Sequence, residues 1–308
     1  MPFTINLSGT AQVDDSIVKE FDAEFRVALA EGGTAAQFAS IKKDFEAESI
    51  SLPKYEQLAL ATTPLVETDD VDSEALQDSK VIVTPKEYGK VVTTTKLASL
   101  QTKGMADRAA ARLVGINAGR TENKLALLAL DASTNRIFSD GTGTATITAT
   151  DIMTGSLMGS AYNKLARANA MGVANGDFVM IAHDDVIHDI REGSGANSWI
   201  DAHKYALPES LLKNEVGMYK GFRVVRDNLS TIDVDGGAAN VDVYSSYFVG
   251  FNAFGQGVSQ PIEMRATGPY DKLNRFVNLG HYGVYEFKIV EQSALWVVES
   301  ASSVGDNA

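Results

Sequence analysis

The chain has 308 residues, with 27 basic and 40 acidic side chains, a formal net charge of −13, and no cysteine. That balance argues against a surface built to grip nucleic acid, which needs clustered Lys and Arg, and the missing thiols exclude disulfides, thiolate nucleophiles and thiolate metal sites. With 44% hydrophobic and 22% charged residues the chain should fold, and its length predicts two lobes or one elongated, multi-part subunit.

The opening MPFTINLSGT has no basic segment leading into an apolar run, and no stretch reaches the roughly eighteen apolar residues of a membrane span, so we expect a cytoplasmic product. Residues 13 to 31 place Ile17, Phe21, Phe25 and Leu29 four apart, predicting an amphipathic helix that stops at Gly32-Gly33 and serves as an arm. The following AAQFASIKKDFEAESI is helix-compatible, with Pro53 closing it. From Ile50 to Val66 and from Lys80 to Leu97, β-branched residues predict two strands. Pro53, Pro64, Pro85 and Gly89 assign them to an edge or a free ribbon, because proline cannot donate to a ladder and glycine weakens a strand interior.

Between these strands stand Glu67, Asp69, Asp70, Asp72, Glu74 and Asp78, with no Asn-Gly or Asp-Gly turn. A calcium loop would need a central glycine and a ligand order that this segment lacks. A solvated charged tip is one reading, and carboxylates meeting Lys or Arg on another copy is the other.

The stretch TKGMADRAAARLVGINAGRTENKLALLALDAS repeats Ala106, Ala109, Leu113, Ile116, Leu127 and Leu130 near the helical period from a Thr102 cap. It predicts the longest helix, roughly 30 residues and on the order of 45 Å. Gly115 and Gly119 each cost about 1 kcal/mol against alanine there, which implies a backbone packed very close to them. Asp151 is expected to cap a helix to Arg167, DFVMIAH to form a buried strand, and another helix to start near Asp184. LPESLLKNEVGMYKGFRVVRDN reads as helix, glycine turn at Gly217 and Gly221, and strand; VDVYSSYFVGF, PIEMRA, HYGVYEFKIV and ALWVVES supply the late strands.

Four histidines, His183, His188, His203 and His281, are the obvious place for chemistry, and Asp184 with His188 stands one turn apart. An acidic pair at a helix start complements the dipole, which makes a solvated His188 the better reading. No serine elbow, zinc helix, phosphate loop or dinucleotide fingerprint is present, and the glycine-rich GTGTAT and GFNAFGQG read as turns. No catalytic, cofactor or metal residue is assigned.

The order of parts resembles the major capsid proteins of tailed bacteriophages with the HK97-type fold: an arm, a two-stranded loop with a charged tip, a long helix directly after it, then mixed α/β with late strands. KVIVTPKEYGKVVTTTKLASL is similar to the second strand of that family's extended E-loop entering the spine helix, and LLKNEVGMYKGFRVVRDN to its axial-domain glycine-turn-strand segment. The resemblance implies an α+β fold. Residues 1–48 would be the N-terminal arm, 49–100 the E-loop hairpin and 101–150 the spine helix of the peripheral domain with its following loop. Residues 151–260 would be the axial domain, and 261–308 late strands returning to the peripheral domain plus the tail.

It also implies a non-enzymatic, cofactor-free shell protein that assembles with itself into hexamers and pentamers around double-stranded DNA, in a virion built in the bacterial cytoplasm. Portal, scaffolding and decoration proteins would be its other partners. A projecting hairpin is a liability on a monomer, and a neighbouring subunit would cover it and receive its tip. An encapsulin-like nanocompartment shell is the alternative from the same fold. A cytosolic metal-dependent hydrolase using Asp184 and His188 is the alternative from another class.

Overall fold

The computed structural model describes residues 22, 24–29, 33–45, 48–55, 78–173, 176–193, 199, 214–267 and 275–304, with isolated positions at 60, 62, 64, 70, 75 and 273. Positions 24–29 are helical, with Phe25 and Ala28 buried. A single 3-10 turn, Ala35–Phe38, leads into strand β1, Ser40–Lys43. The helix-compatible segment 35–50 instead gives a turn and a strand over Ala35–Lys43: β1 pairs in parallel with a late strand, Ser40 opposite Gly255, and this long-range ladder overrides local helix propensity.

Strand β2, Ile50–Tyr55, holds Pro53 in its interior, opposite Lys80 of β3, Asp78–Val83. These two strands form a sheet of their own. The expected single strand from Lys80 to Leu97 is broken at Thr84-Pro85, where proline has no N–H to donate, and β4, Lys86–Thr95, leaves the ribbon for another sheet.

Thr95 accepts from the Ala98 N–H and starts the short helix α1, Lys96–Gln101, which has no buried residue. Gly104, at φ 80°, turns the chain into α2, Met105–Asp131, whose 27 residues extend about 40 Å. The N-cap is Gly104 and not the expected Thr102, which ends α1 and whose hydroxyl accepts from the Ala106 N–H at 3.2 Å. β5, Arg136–Phe138, follows. Helix α3, Gly155–Arg167, is capped by Thr154 rather than Asp151. Asp151 instead accepts from the N–H and hydroxyl of Thr148 at 2.8 and 2.7 Å, a turn three residues earlier than a cap would stand.

The fully buried strand β6, Phe178–Ala182, leads to α4, Asp184–Glu192, and then to β7, Glu215–Tyr219, and β8, Phe222–Arg226. Lys220 (φ 51°) and Gly221 (φ 82°) form the two-residue turn between β7 and β8. Gly217 is not at that turn; it lies inside β7 at the register shift that follows Glu215, where a bulge takes up one residue. The last strands are β9, Ile232–Asp233, β10, Val243–Val249, β11, Phe254–Thr267, β12, Phe276–Ile289, and β13, Leu295–Ser300.

One sheet runs β1-β11-β12-β4, and a larger one runs β5-β13-β10-β6-β8-β7 with β9 on β10. β11 and β12, of 14 residues each, pair antiparallel, so the GFNAFGQG stretch is a turn only up to Ala253, and its last glycines lie in β11. β13 lies inside the larger sheet, between β5 and β10. Leu127 and Leu130 of α2, Val179, Tyr247 and Val249 of the larger sheet, and Phe254 and Tyr285 of the smaller one share a single core. α3 and α4 cover the opposite face through Met158, Leu165 and Val186 against Phe178, Phe222 and Phe248. Coverage on both faces is why β6 and β10 read as unbroken apolar or small-residue runs.

Candidate assembly surfaces

The foot of the arm is clamped by one side chain. Asn123, on α2 and 1% exposed, accepts from the N–H groups of Thr34 and Ala35 at 3.0 and 2.7 Å and donates to Asp227 at 2.6 Å. Asp227 follows β8, and it also accepts from the Leu229 N–H at 2.9 Å. Burial pushes its carboxyl above the usual carboxylate range, against the hydrogen bonds from Asn123 and Leu229 that pull it down. Asn214 adds a hydrogen bond to the Thr34 hydroxyl at 2.9 Å. Three distant chain regions therefore meet at a single amide. Sequence reasoning missed Asn123, whose only local signal is a polar residue amid the buried positions of a helix.

Further along α2, Gly115 is where the arm comes closest. A Cβ there would stand 2.7 Å from the carbonyl oxygen of Phe25 and 2.8 Å from Cβ of Ala28. Gly119 is buried on the same helix. Phe25 packs with Val114 and Ala118.

The ribbon β2–β3 is rooted on glycines. A Cβ on Gly255 would meet Leu52 at 2.6 Å and the Ser40 carbonyl at 3.1 Å; one on Gly257 would meet Val83 at 3.1 Å and Ile50 at 3.4 Å. β11 carries glycine at these alternate positions because the root lies directly on its face. A small cluster of Leu52, Val83 and Val290, with Val81 against it, supplies the apolar contact. Lysines fasten the rim: Lys54 pairs with Glu291 at 3.0 Å, and Lys42 and Lys288 donate to the carbonyls of Ser51 and Ile82 at 2.6 and 3.0 Å. Of the acidic set, Glu67, Asp69, Asp72 and Glu74 lie outside the described residues, Asp70 is exposed, and Asp78 pairs its backbone with Tyr55 in the ribbon.

Around the α1–α2 elbow, Leu97, Leu100 and Met105 are 65%, 69% and 72% exposed, and Leu113 is 63% exposed on α2. Val91 on the edge strand β4 is exposed too. Val27, Phe45, Met171, Val234 and Phe251 are exposed elsewhere, so the elbow is one of several apolar exposures on the described residues.

Two of the histidines take structural roles. His183 caps α4, its Nδ1 accepting from the Asp185 N–H at 3.3 Å. His281 lies against Asn117 at 3.1 Å, and burial holds its ring below the ordinary histidine range. Asp184 and His188 line a cleft with Arg191 and Arg226. Among the described residues no three His, Asp or Glu side chains are grouped to hold a metal ion. His203 lies outside the described residues.

The carboxylate of Glu122 on α2 accepts from Gln256 of β11 at 2.8 Å, and burial raises its affinity for a proton. A carboxyl with a folded-state pKa above its unfolded value binds extra protons in the native state, so native stability falls as pH rises through that window. Glu122→Gln is therefore expected to raise the melting temperature at pH 7, with the gain vanishing as pH drops below the ordinary carboxylate range. Thermal denaturation at pH 7 and pH 4 checks this; an equal gain at both would refute it.

No protein-family model and no curated protein matches the sequence. Solved structures do. The capsid of Ralstonia phage GP4 superposes with a TM-score of 0.72 at 13% identity, covering 90% of this chain and 93% of that one. The head structure of Helicobacter pylori bacteriophage KHP40 gives 0.61 at 9% identity, over 88% and 89%. A virus-like particle from Pyrococcus furiosus gives 0.56 at 10% identity, over 91% and 98%. Identity this low with coverage this complete speaks to backbone architecture, and on that ground the chain has the HK97-like fold of phage capsid proteins.

Proposed function

We propose that this chain is the structural subunit of a phage head, assembling with itself into the hexamers and pentamers of an icosahedral shell around double-stranded DNA. The observation that carries the reading is the ribbon β2–β3: it forms a sheet of its own, rooted by three buried side chains, on a chain with the capsid fold. Such an edge is stable in solution only when something covers it, and a sister subunit is the natural cover. Repetition around a closed shell turns modest interfaces of about 1,000 to 2,000 Å² each into a stable particle.

In this reading residues 1–48 are the arm and 49–100 the E-loop. Residues 101–150 carry the spine helix of the peripheral domain, 151–260 the axial domain, and 261–308 the late strands and tail. The subunit does no catalysis and needs no cofactor. Its negative charge keeps the wall from gripping packed DNA. A portal, and scaffolding or decoration proteins, complete a virion assembled in the host cytoplasm.

Electron microscopy and sedimentation of the purified full chain test this: closed particles are expected, and a monomer that persists at high concentration across buffers would overturn it. The Pyrococcus furiosus particle keeps a second reading in view, a cellular nanocompartment shell. Particles purified from the native source that hold a protein cargo instead of DNA would favour that one.

A further inference from the structure

We infer that His281 is a proton-operated release for the N-terminal half of α2, a conformational device that does not depend on the shell reading. His281 lies on β12 beneath that helix and is 4% exposed. Its Nε2 meets the Asn117 side-chain oxygen at 3.1 Å, the ring's one polar contact among the described residues. With Nε2 protonated, the neutral ring donates to that oxygen. An imidazolium carries a second N–H with no acceptor beside it and a charge with no counter-ion.

No described element packed against the ring supplies it a carboxylate. On β4 the residue opposite His281 is Lys90, and on β11 it is Met264. Glu263 and Arg265, on either side of Met264, pair with each other at 2.9 Å and stand on the other face of the sheet. The arm brings Phe25 to this cluster, and its charges, Asp22 and Arg26, pair with each other at 2.8 Å. On α2, Glu122 is five residues farther on. It faces Gln256 of β11 and the phenol of Tyr285 on β12, which lies against Tyr88 of β4, and no described cation neutralises it.

The sheet has no room to give way. A Cβ on Gly89 would stand 2.8 Å from the His281 carbonyl oxygen, and one on Gly280 2.8 Å from that of Lys90, so β4 and β12 meet backbone to backbone at this point. The helix is unequally held. Toward its start α2 buries the small side chains of Ala110, Ala111, Val114 and Ala118, whereas Leu127 and Leu130 anchor its end in the main core. The half above His281 therefore has the least apolar area to lose on lifting.

The two buried groups respond to acid with opposite signs. Burial holds His281 below the ordinary histidine range, so the native state binds fewer protons than the unfolded one and loses stability as pH falls through that range. Burial raises the proton affinity of Glu122, so acid relieves its cost nearer the end of the helix. Acid thus loosens the start of α2, with Phe25 of the arm packed on Val114 and Ala118, and leaves the end seated.

Hydrogen exchange on the purified full chain tests this, with protection taken relative to intrinsic rates. From pH 7.5 to pH 5.5, amides 106–118 are expected to lose about tenfold in protection while amides 123–131 hold within about twofold. His281→Gln, which keeps a neutral partner for Asn117 and cannot take up the charge, should abolish the loss. Asn117→Asp, at an exposed position, should abolish it too, because a carboxylate then meets the imidazolium; a merely structural histidine would not respond to that change. No loss in the wild type, a loss spread evenly over the chain, a loss that persists in His281→Gln, or an Asn117→Asp chain that loosens like the wild type would each overturn the inference. Should His281→Gln misfold, Asn117→Asp still decides.

Discussion

Replacing Asn123 with alanine is expected to destabilise the chain by about 3–5 kcal/mol, read from denaturant unfolding. The substitution strands two adjacent N–H groups, of Thr34 and Ala35, and removes the donor to the buried Asp227 carboxylate. Each stranded buried partner costs about 1–3 kcal/mol, and they fail together because they share one amide. Asn123→Asp separates the two halves of the clamp. It keeps an acceptor for both N–H groups but sets a second carboxylate against Asp227, where the donor now stands at 2.6 Å.

Like charges at that distance hold a proton between them, so the pair's folded-state affinity for protons rises above its unfolded value. The aspartate variant should therefore be weakest at neutral pH and regain stability steeply as pH falls through the ordinary carboxylate range, whereas alanine, which leaves only the single buried Asp227 carboxyl without its donor, recovers less. Parallel pH profiles of the two variants would expose the error if they coincide.

Gly257→Val is expected to separate folding from assembly. A Cβ alone would stand 3.1 to 3.4 Å from Val83 and Ile50, and the two added methyls have nowhere to go but into the ribbon root. Overpacking of this kind costs about 1–3 kcal/mol, within what a chain of this size tolerates. The shared core of Leu127, Tyr247 and Tyr285 is untouched. Because a shift at the root is carried outward along the ribbon, particle yield should fall by about tenfold or more while the monomer stays folded, as multivalent contacts fail together when their geometry is lost. Gly143→Ala, at an extended position with nothing within 4 Å, is the control and should assemble normally. Wild-type yield from Gly257→Val would show that the ribbon's direction does not matter to assembly.

Much of this architecture was legible residue by residue. The 3.6-residue period marked α2, and β6 was evident from its apolar run. Gly115 announced a close neighbour through its cost in a helix. The segment 35–50 misled, because Ala, Lys and Glu favour helix locally and only the ladder to β11 makes Ser40–Lys43 a strand. Gly255 and Gly257 likewise read as turn residues until the ribbon root is seen lying on them.

Interactions within a few residues, such as periodicity, caps, turn glycines and proline breaks, are written into the order of the chain, and they sufficed for most element types and for the likeness to phage capsid proteins. Where Asn123 gathers the arm and the larger sheet, and why Pro85 divides one apparent strand between two sheets, depended on contacts between residues far apart in the chain. Such contacts are selected by burial and geometry in three dimensions, and no local pattern encodes the partner.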